Sequence, residues 1–251
     1  MSYLGLYLLG LVFVAIAACA LNFPFLLYPI TPSHNPMAEA TRRSLRGATL
    51  FISDLHLRAD SEFGYSQSLR NFLLERRISN LIVLGDLFNS PLDAKKMLSA
   101  GPSSIANILG INGLPVKSFF VEGSPPHDPG KEELDVLAAV LIPLGVCAIL
   151  SFNHLTIIAY HGHDMSRKGA IGHGWDRFIS HLSLERAWKH VAGVPESDWV
   201  IFGHTHIPGV DVKHKVANCG GWQSIGFLVR PACTGICLSP ENGSLEVVKF
   251  D

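Results

Sequence analysis

Five short runs of this chain are hydrophobic almost without interruption, and each stops at a polar residue or a glycine. Residues 48–53 stop at Asp54, 81–84 at Gly85-Asp86, 116–121 at Glu122-Gly123, 155–160 at His161-Gly162 and 199–202 at Gly203-His204. Strands apolar on both faces must be covered on both sides, which is the condition of strands inside an α/β layer structure. Between them, residues 66–77 place Leu69, Phe72 and Leu73 on one helical face, and 132–141 do the same with Leu134, Leu137, Ala138 and Leu141. The alternation predicts an α/β fold. The tail differs: short strands at 210–212, 232–238 and 245–250 are separated by Gly, Pro and Asn, with Glu241-Asn242-Gly243 as a hairpin turn. The sheet is therefore expected to be mixed, with an antiparallel flank. A length of 251 residues suffices for one sizeable domain.

In open α/β sheets, ligands collect beyond the carboxyl ends of the strands, which is where this chain carries its aspartates and histidines. Asp54 and His56, two residues apart at a strand end, point the same way. Gly85 permits a tight turn from which Asp86 projects. His161 follows the fourth run. Gly203-His204-Thr205-His206 offers two imidazoles in one turn bounded by Gly203 and Pro208. Two carboxylates and four imidazoles form an N/O set suited to manganese, iron, zinc, cobalt or nickel rather than copper(I) or a cluster. Of the twelve histidines, His163 reads as a neighbour of this set, and His34, His154, His181, His190 and His214 as surface or structural residues.

The ordered series FISDLHL, VLGDLF, YHGHD and FGHTHIP resembles the calcineurin-like metallophosphoesterases over roughly residues 50–221. The resemblance implies two packed mixed β-sheets flanked by helices, a four-layer sandwich, and a centre of two divalent metal ions, manganese first, with iron, zinc, cobalt or nickel as alternatives. It implies that Asp54, His56 and His206 hold one metal, that Asp86 bridges, and that His161 and His204 hold the other. A bridging hydroxide would then hydrolyse a phosphate ester or diphosphate. Asn218-Cys219-Gly220-Gly221-Trp222 resembles the family's closing Asn-x-Gly segment.

One motif departs. Where the family has Gly-Asn-His-Asp, this chain reads EGSPPHD, with Ser124 in place of the asparagine ligand and Pro125-Pro126 before His127-Asp128. By the resemblance, His127 would meet the phosphate or leaving oxygen and Asp128 would orient it. Three arrangements stay open: Ser124 or a water fills the vacant position, His127 becomes a ligand itself, or the second metal is weak. The rival to an enzyme is a catalytically weak or silent metal-binding scaffold of the same fold. Between His161 and His204 lies an insert in which Arg167, Lys168 and Arg177 could take a second phosphate and His173 and Trp175 could contact a base, sugar or acyl group. FISDLHL and GDLF also resemble the lipid-sugar diphosphate hydrolases of the superfamily. The expected partner is a phosphorylated small molecule, a nucleotide or a lipid-linked substrate. The net charge of -1 gives no basic field, so strong nucleic-acid binding is not expected.

The N-terminus is separate in character. Residues 4–21 are all apolar or glycine, close to the length of ~20 that spans a bilayer. Residues 1–28 are predicted to be a transmembrane anchor, 29–47 a proline-punctuated linker, and 48–251 the catalytic domain. Arg42, Arg43 and Arg46 follow the span and place the domain in the cytoplasm by the positive-inside rule. A cleaved signal, or a lipoprotein cleaved at the box Ile16-Ala17-Ala18-Cys19, is the alternative, with an extracytoplasmic domain. The five cysteines include no CxxC and predict free thiols rather than a zinc knuckle or disulfide framework.

Overall fold

The computed structural model describes residues 36–251 except 154, 166–168, 179, 225–229 and 240. The predicted span at 1–28 lies outside the described residues, as do His34, His154, Arg167 and Lys168. Among the described residues no helix is long and apolar enough to cross a membrane.

Among the described residues, twelve strands form two six-stranded sheets. The first contains Thr49–Ile52 (β2), Asn80–Leu84 (β3), Lys117–Val121 (β4), Ile142–Pro143 (β5), Thr234–Ser239 (β11) and Ser244–Lys249 (β12), in the order β12-β11-β2-β3-β4-β5. β2 to β5 are parallel neighbours, and β11 and β12 add the antiparallel flank. The second contains Thr41–Ser44 (β1), Cys147–Phe152 (β6), Leu155–Tyr160 (β7), Trp199–Phe202 (β8), Gly209–Asp211 (β9) and Val216–Asn218 (β10), in the order β1-β6-β7-β8-β10-β9. Both sheets are mixed, as expected. β1 is a correction: Thr41 to Ser44 fall inside the predicted linker, yet they pair in parallel with Ala148 to Ser151. Two arginines in four residues hide such a strand, because an edge strand exposed along one side needs no apolar run.

The alternation of side chains within each buried strand sorts the core into layers. Phe51, Ile82, Leu84, Phe119 and Val121 face the other sheet and meet Leu150, Ile157, Ala159, Ile201 and Ala217. Their neighbours Leu50, Ile52, Leu81, Val83 and Phe120 face outward, under the helices Ser66–Glu75 (α1), Pro91–Ser99 (α2), Pro102–Ile108 (α3) and Lys131–Leu137 (α4). On the far side, Gly169–Phe178 (α5) and Ser183–Val191 (α6) follow β7, and α6 packs Leu184 and Trp188 on Ile158, Tyr160, Val200 and Phe202. The result is a helix–sheet–sheet–helix sandwich. Cys147, Cys219, Cys233 and Cys237 are free and buried in it.

Candidate metal centre

The carboxyl ends of β2 and β3 in one sheet meet those of β7 and β8 in the other. From the first sheet come Asp54, His56 and Asp86; from the second, His161, His204 and His206. All six side chains are buried, at most 7% exposed. They fall into groups whose ligating atoms lie within 4.8 Å of one another: Asp54 with His56 and His206, and Asp86 with His161 and His204. A third group joins His56 and Asp86 to His127.

Five of the six hold a left-handed backbone: Asp54 (φ 54°), His56 (46°), Asp86 (49°), His204 (66°) and His206 (58°). Such a conformation costs a non-glycine residue ~1–3 kcal/mol and persists only where its surroundings impose it. Here the loops after β2 and β3 impose it on each other. Asp54 N donates to Gly85 O (3.3 Å), His56 N to Asp86 O (3.0 Å) and Leu57 N to Leu87 O (2.8 Å). Gly85 itself has φ +67°, and a Cβ there would sit 2.5 Å from Gly123 Cα and 2.7 Å from the His161 ring. Only glycine fits at that crossing.

Two contacts stitch the sheets together. Asp54 Oδ2 accepts from His204 N (2.9 Å), and His161 Nδ1 donates to Leu84 O (2.8 Å). The second contact fixes the tautomer: a carbonyl only accepts, so Nδ1 carries the proton and Nε2 turns inward as a base. Asp54 Oδ1, His56 Nε2, His161 Nε2 and His206 Nδ1 are buried without a hydrogen-bond partner. Orphaned atoms at that density are costly unless something is bound among them. Asp54 Oδ1 lies 3.3 Å from His206 Nε2, and Asp86 Oδ1 lies 3.3 Å from His161 Nε2. Two ligands each ~2.1 Å from one ion are roughly 3.0–3.4 Å apart, so these separations fit a shared cation. Asp86 Oδ2 turns the other way, 3.9 Å from His56 Nε2. The residues present therefore fit divalent metal.

The electrostatics match. Burial pushes the Asp54 carboxyl up and drives the His56 and His206 imidazoles down to about 4, so both stay neutral and available as ligands. Burial also disfavours charge on Asp86 and His161. Their mutual attraction outweighs it, holding Asp86 below the ordinary carboxylate range and raising His161 to about 10.

The EGSPPHD stretch forms a compact turn: Ser124 O accepts from His127 N (2.8 Å) and Asp128 N (3.2 Å). Ser124 is directed at Asp86, donating its N–H to Oδ1 (2.8 Å) and its hydroxyl to Oδ2 (3.3 Å). His127 returns beside the centre, its ring 4.7 Å from that of His56. Its Nδ1 donates to Asn89 O (2.9 Å), leaving Nε2 for the site. Asp128 does not orient it, contrary to what the resemblance implies. Its carboxyl instead accepts from Gly123 N, and burial, reinforced by the charge on Asp86, raises it to about 7. With two prolines in the turn, the backbone of β3's loop orients the imidazole in the acid's stead.

A support network lies behind the second sheet, and its centre, Glu185, belongs to no motif of the sequence. Glu185 is fully buried and accepts from Thr205 Oγ1 (3.1 Å) and Asn218 Nδ2 (2.8 Å). Asn218 Nδ2 also reaches Gly203 O (2.6 Å), and its Oδ1 receives Gly220 N (2.9 Å). Gly203 and Thr205 flank His204, so these bonds position both of that loop's imidazoles. His173 does the same from α5, its Nδ1 donating to Thr205 O (3.0 Å). The signal for Glu185 was a glutamate beside Leu184 and Trp188 on one helical face, where a charge is out of place.

No protein-family model and no curated protein matches the chain. Solved structures do. A Vps29 variant from Entamoeba histolytica matches at 17% identity and a TM-score of 0.45, covering 81% of this chain and 99% of that one. YfcE, a phosphoesterase from E. coli, matches at 14% and 0.44, covering 81% and 100%. An archaeal phosphodiesterase matches at 19% and 0.45, covering 80% and 98%. At such values the chemistry has to be read from this chain's own residues. The chain resembles the calcineurin-like metallophosphoesterases in its motifs, its paired mixed sheets and its grouping of aspartate and histidine ligands.

Proposed function

We propose that the chain is a metal-dependent hydrolase of a phosphate ester or diphosphate, in which Asp54, His56 and His206 hold one divalent ion, His161 and His204 a second, and Asp86 bridges them. One observation carries this reading: the two oxygens of the buried Asp86 carboxylate face different imidazoles, His161 on one side and His56 on the other. Metal held by these residues would supply positive charge to activate water and to neutralise phosphate oxygens. The chain's own residues do the positioning. Ser124 N–H holds Asp86 in its bridging orientation. Asn89 O holds His127 so that its Nε2 can meet a phosphate or leaving-group oxygen, within the ~2.6–3.2 Å that proton transfer needs. The buried walls around Asp54 and His161 exclude bulk water, which strengthens every charge interaction inside.

The test is a metal titration of the full-length protein, with manganese first and then iron, zinc, cobalt and nickel, followed by assays on an aryl monophosphate, a phosphodiester and a pyrophosphate bond. Two ions bound per chain and turnover on at least one bond type are expected. Stoichiometric metal without turnover on any of them would favour the silent scaffold, and no metal binding would sink both readings. The apolar stretch 4–21 and the arginines after it support a membrane-tethered form with the catalytic domain in the cytoplasm. Release of the full-length protein from membranes by carbonate would overturn that part alone.

A further inference from the structure

Beside His206 the protein surface opens into a cavity of about 320 Å³ whose lining includes His173, Arg177, Pro208, Arg230 and Pro231 as well as His206 itself. Two separate pieces of chain bring the arginines there. On α5, His173 and Arg177 are one turn apart and share a face. The bond from His173 Nδ1 to Thr205 O (3.0 Å) holds that face on the loop carrying His204 and His206. From the other side, Gly221 lies against the His206 ring, and its carbonyl accepts from Ala232 N (2.8 Å) and Cys233 N (3.0 Å). That return brings Arg230 and Pro231 to the same cavity. Both guanidinium groups belong to exposed residues, and neither forms an ion pair among the described residues. The nearest acid in sequence, Asp176, is turned away to cap α6, accepting from Ser183 N (3.1 Å) and Leu184 N (3.3 Å). His173 completes the wall. Its Nδ1 proton is committed to a carbonyl, so Nε2 is left to accept from a hydroxyl.

We infer that this cavity is a second anion subsite, continuous with the metal centre through His206, which takes a second phosphoryl group of the substrate on Arg177 and Arg230. The substrate class it selects is a diphosphate or a molecule carrying two neighbouring phosphates, in preference to a simple monoester. The inference rests on the metal centre being the seat of the first phosphate. Planar guanidinium forks grip phosphate oxygens in pairs, and these two break no ion pair when they do so. Arg230 had no signal in the sequence, because its neighbour in space, Arg177, lies far from it along the chain.

The experiment measures binding rather than turnover. The full-length protein, loaded with manganese, is titrated calorimetrically with methylenediphosphonate and with methylphosphonate, neither of which it can hydrolyse at the P–C bond. The wild type is expected to bind the diphosphonate at least roughly tenfold more tightly. Arg177→Ala and Arg230→Ala should each remove most of that advantage and leave methylphosphonate binding unchanged. Arg230→Lys, which keeps the charge and loses the fork, should fall between. Equal affinity of the wild type for the two ligands, no binding of either, or an advantage that survives in the double Arg177→Ala/Arg230→Ala variant, would overturn the subsite. Failure of the hydrolase reading looks different: the preference stays intact while no ester or diphosphate is cleaved.

Discussion

The two sheets deliver their ligands to the centre by different means. After β2 and β3, Asp54, His56 and Asp86 are held by backbone bonds between adjacent loops, with Gly85 and Gly123 letting the loops cross closely. After β8, His204 and His206 are held by side chains: Asn218, Thr205, Glu185 and His173 form the scaffold under them. A backbone scaffold survives most changes of side chain. A scaffold of buried polar side chains fails when one member is truncated, because the others are left unsatisfied. Fold and activity should therefore come apart in opposite ways in the two halves.

The largest effect is expected from Asp86→Asn. The replacement keeps the shape and backbone bonds of its loop and gives up the attraction to His161, so thermal melting should fall far less than turnover does. Turnover should fall by at least ~10²–10³-fold, the loss typical of one preorganised contact to developing charge. A variant that melts normally and loses activity supports backbone support in that half; one that unfolds breaks the comparison. Next comes Glu185→Ala, which strands the buried Thr205 hydroxyl proton and takes one of the acceptors from Asn218 Nδ2. It should lower stability by ~2–4 kcal/mol, several degrees in melting temperature for a domain of this size. Glu185→Gln, which still offers an acceptor, should recover most of it.

Glu185 also gives the second half a pH signature. Burial, then the neighbouring Asp176, raises its carboxyl well above the ordinary value of 4.5. The folded state therefore binds more protons than the unfolded one, and stability declines as pH rises from about that ordinary value toward the raised one. Melting curves of the wild type should show this decline relative to Glu185→Gln, in which the group cannot titrate; parallel curves would mean that the carboxyl is not protonated in the fold. The smallest effect belongs to Ser124→Ala. It leaves the backbone donor to Asp86 intact and removes only a 3.3 Å hydroxyl contact, so metal affinity should change by less than about tenfold. A larger loss would make Ser124 a ligand after all.

The same contrast explains what could be read from the sequence. Asp54, His56, Asp86, His161, His204 and His206 were legible because each ends or follows a run apolar on both faces, and a polar residue at that place is conspicuous. The helix Ser183–Val191 carries an apolar stripe at Leu184, Ala187 and Trp188, but nothing in its pattern announces that Glu185 and Lys189 beside that stripe are buried as well. Lys189 earns its burial by donating to Asp198 O (2.6 Å) and His214 O (2.9 Å), partners no local pattern announces. β1 hid for the opposite reason, being two arginines on an edge whose only definition is its pairing with β6. Asp128 was misplaced because its partner is set by the path of the turn, and two prolines altered that path.

The stitches from His204 N to Asp54 and from His161 to Leu84 O have a consequence for how the protein matures. Two of the ligand groups draw on both sheets, Asp54 and His56 with His206 and Asp86 with His161 and His204, so neither of these is complete until the sandwich has closed. The cage is thus a property of the closed sandwich, and a chain that stops short of His204 carries only Asp54, His56, Asp86 and His161 of it.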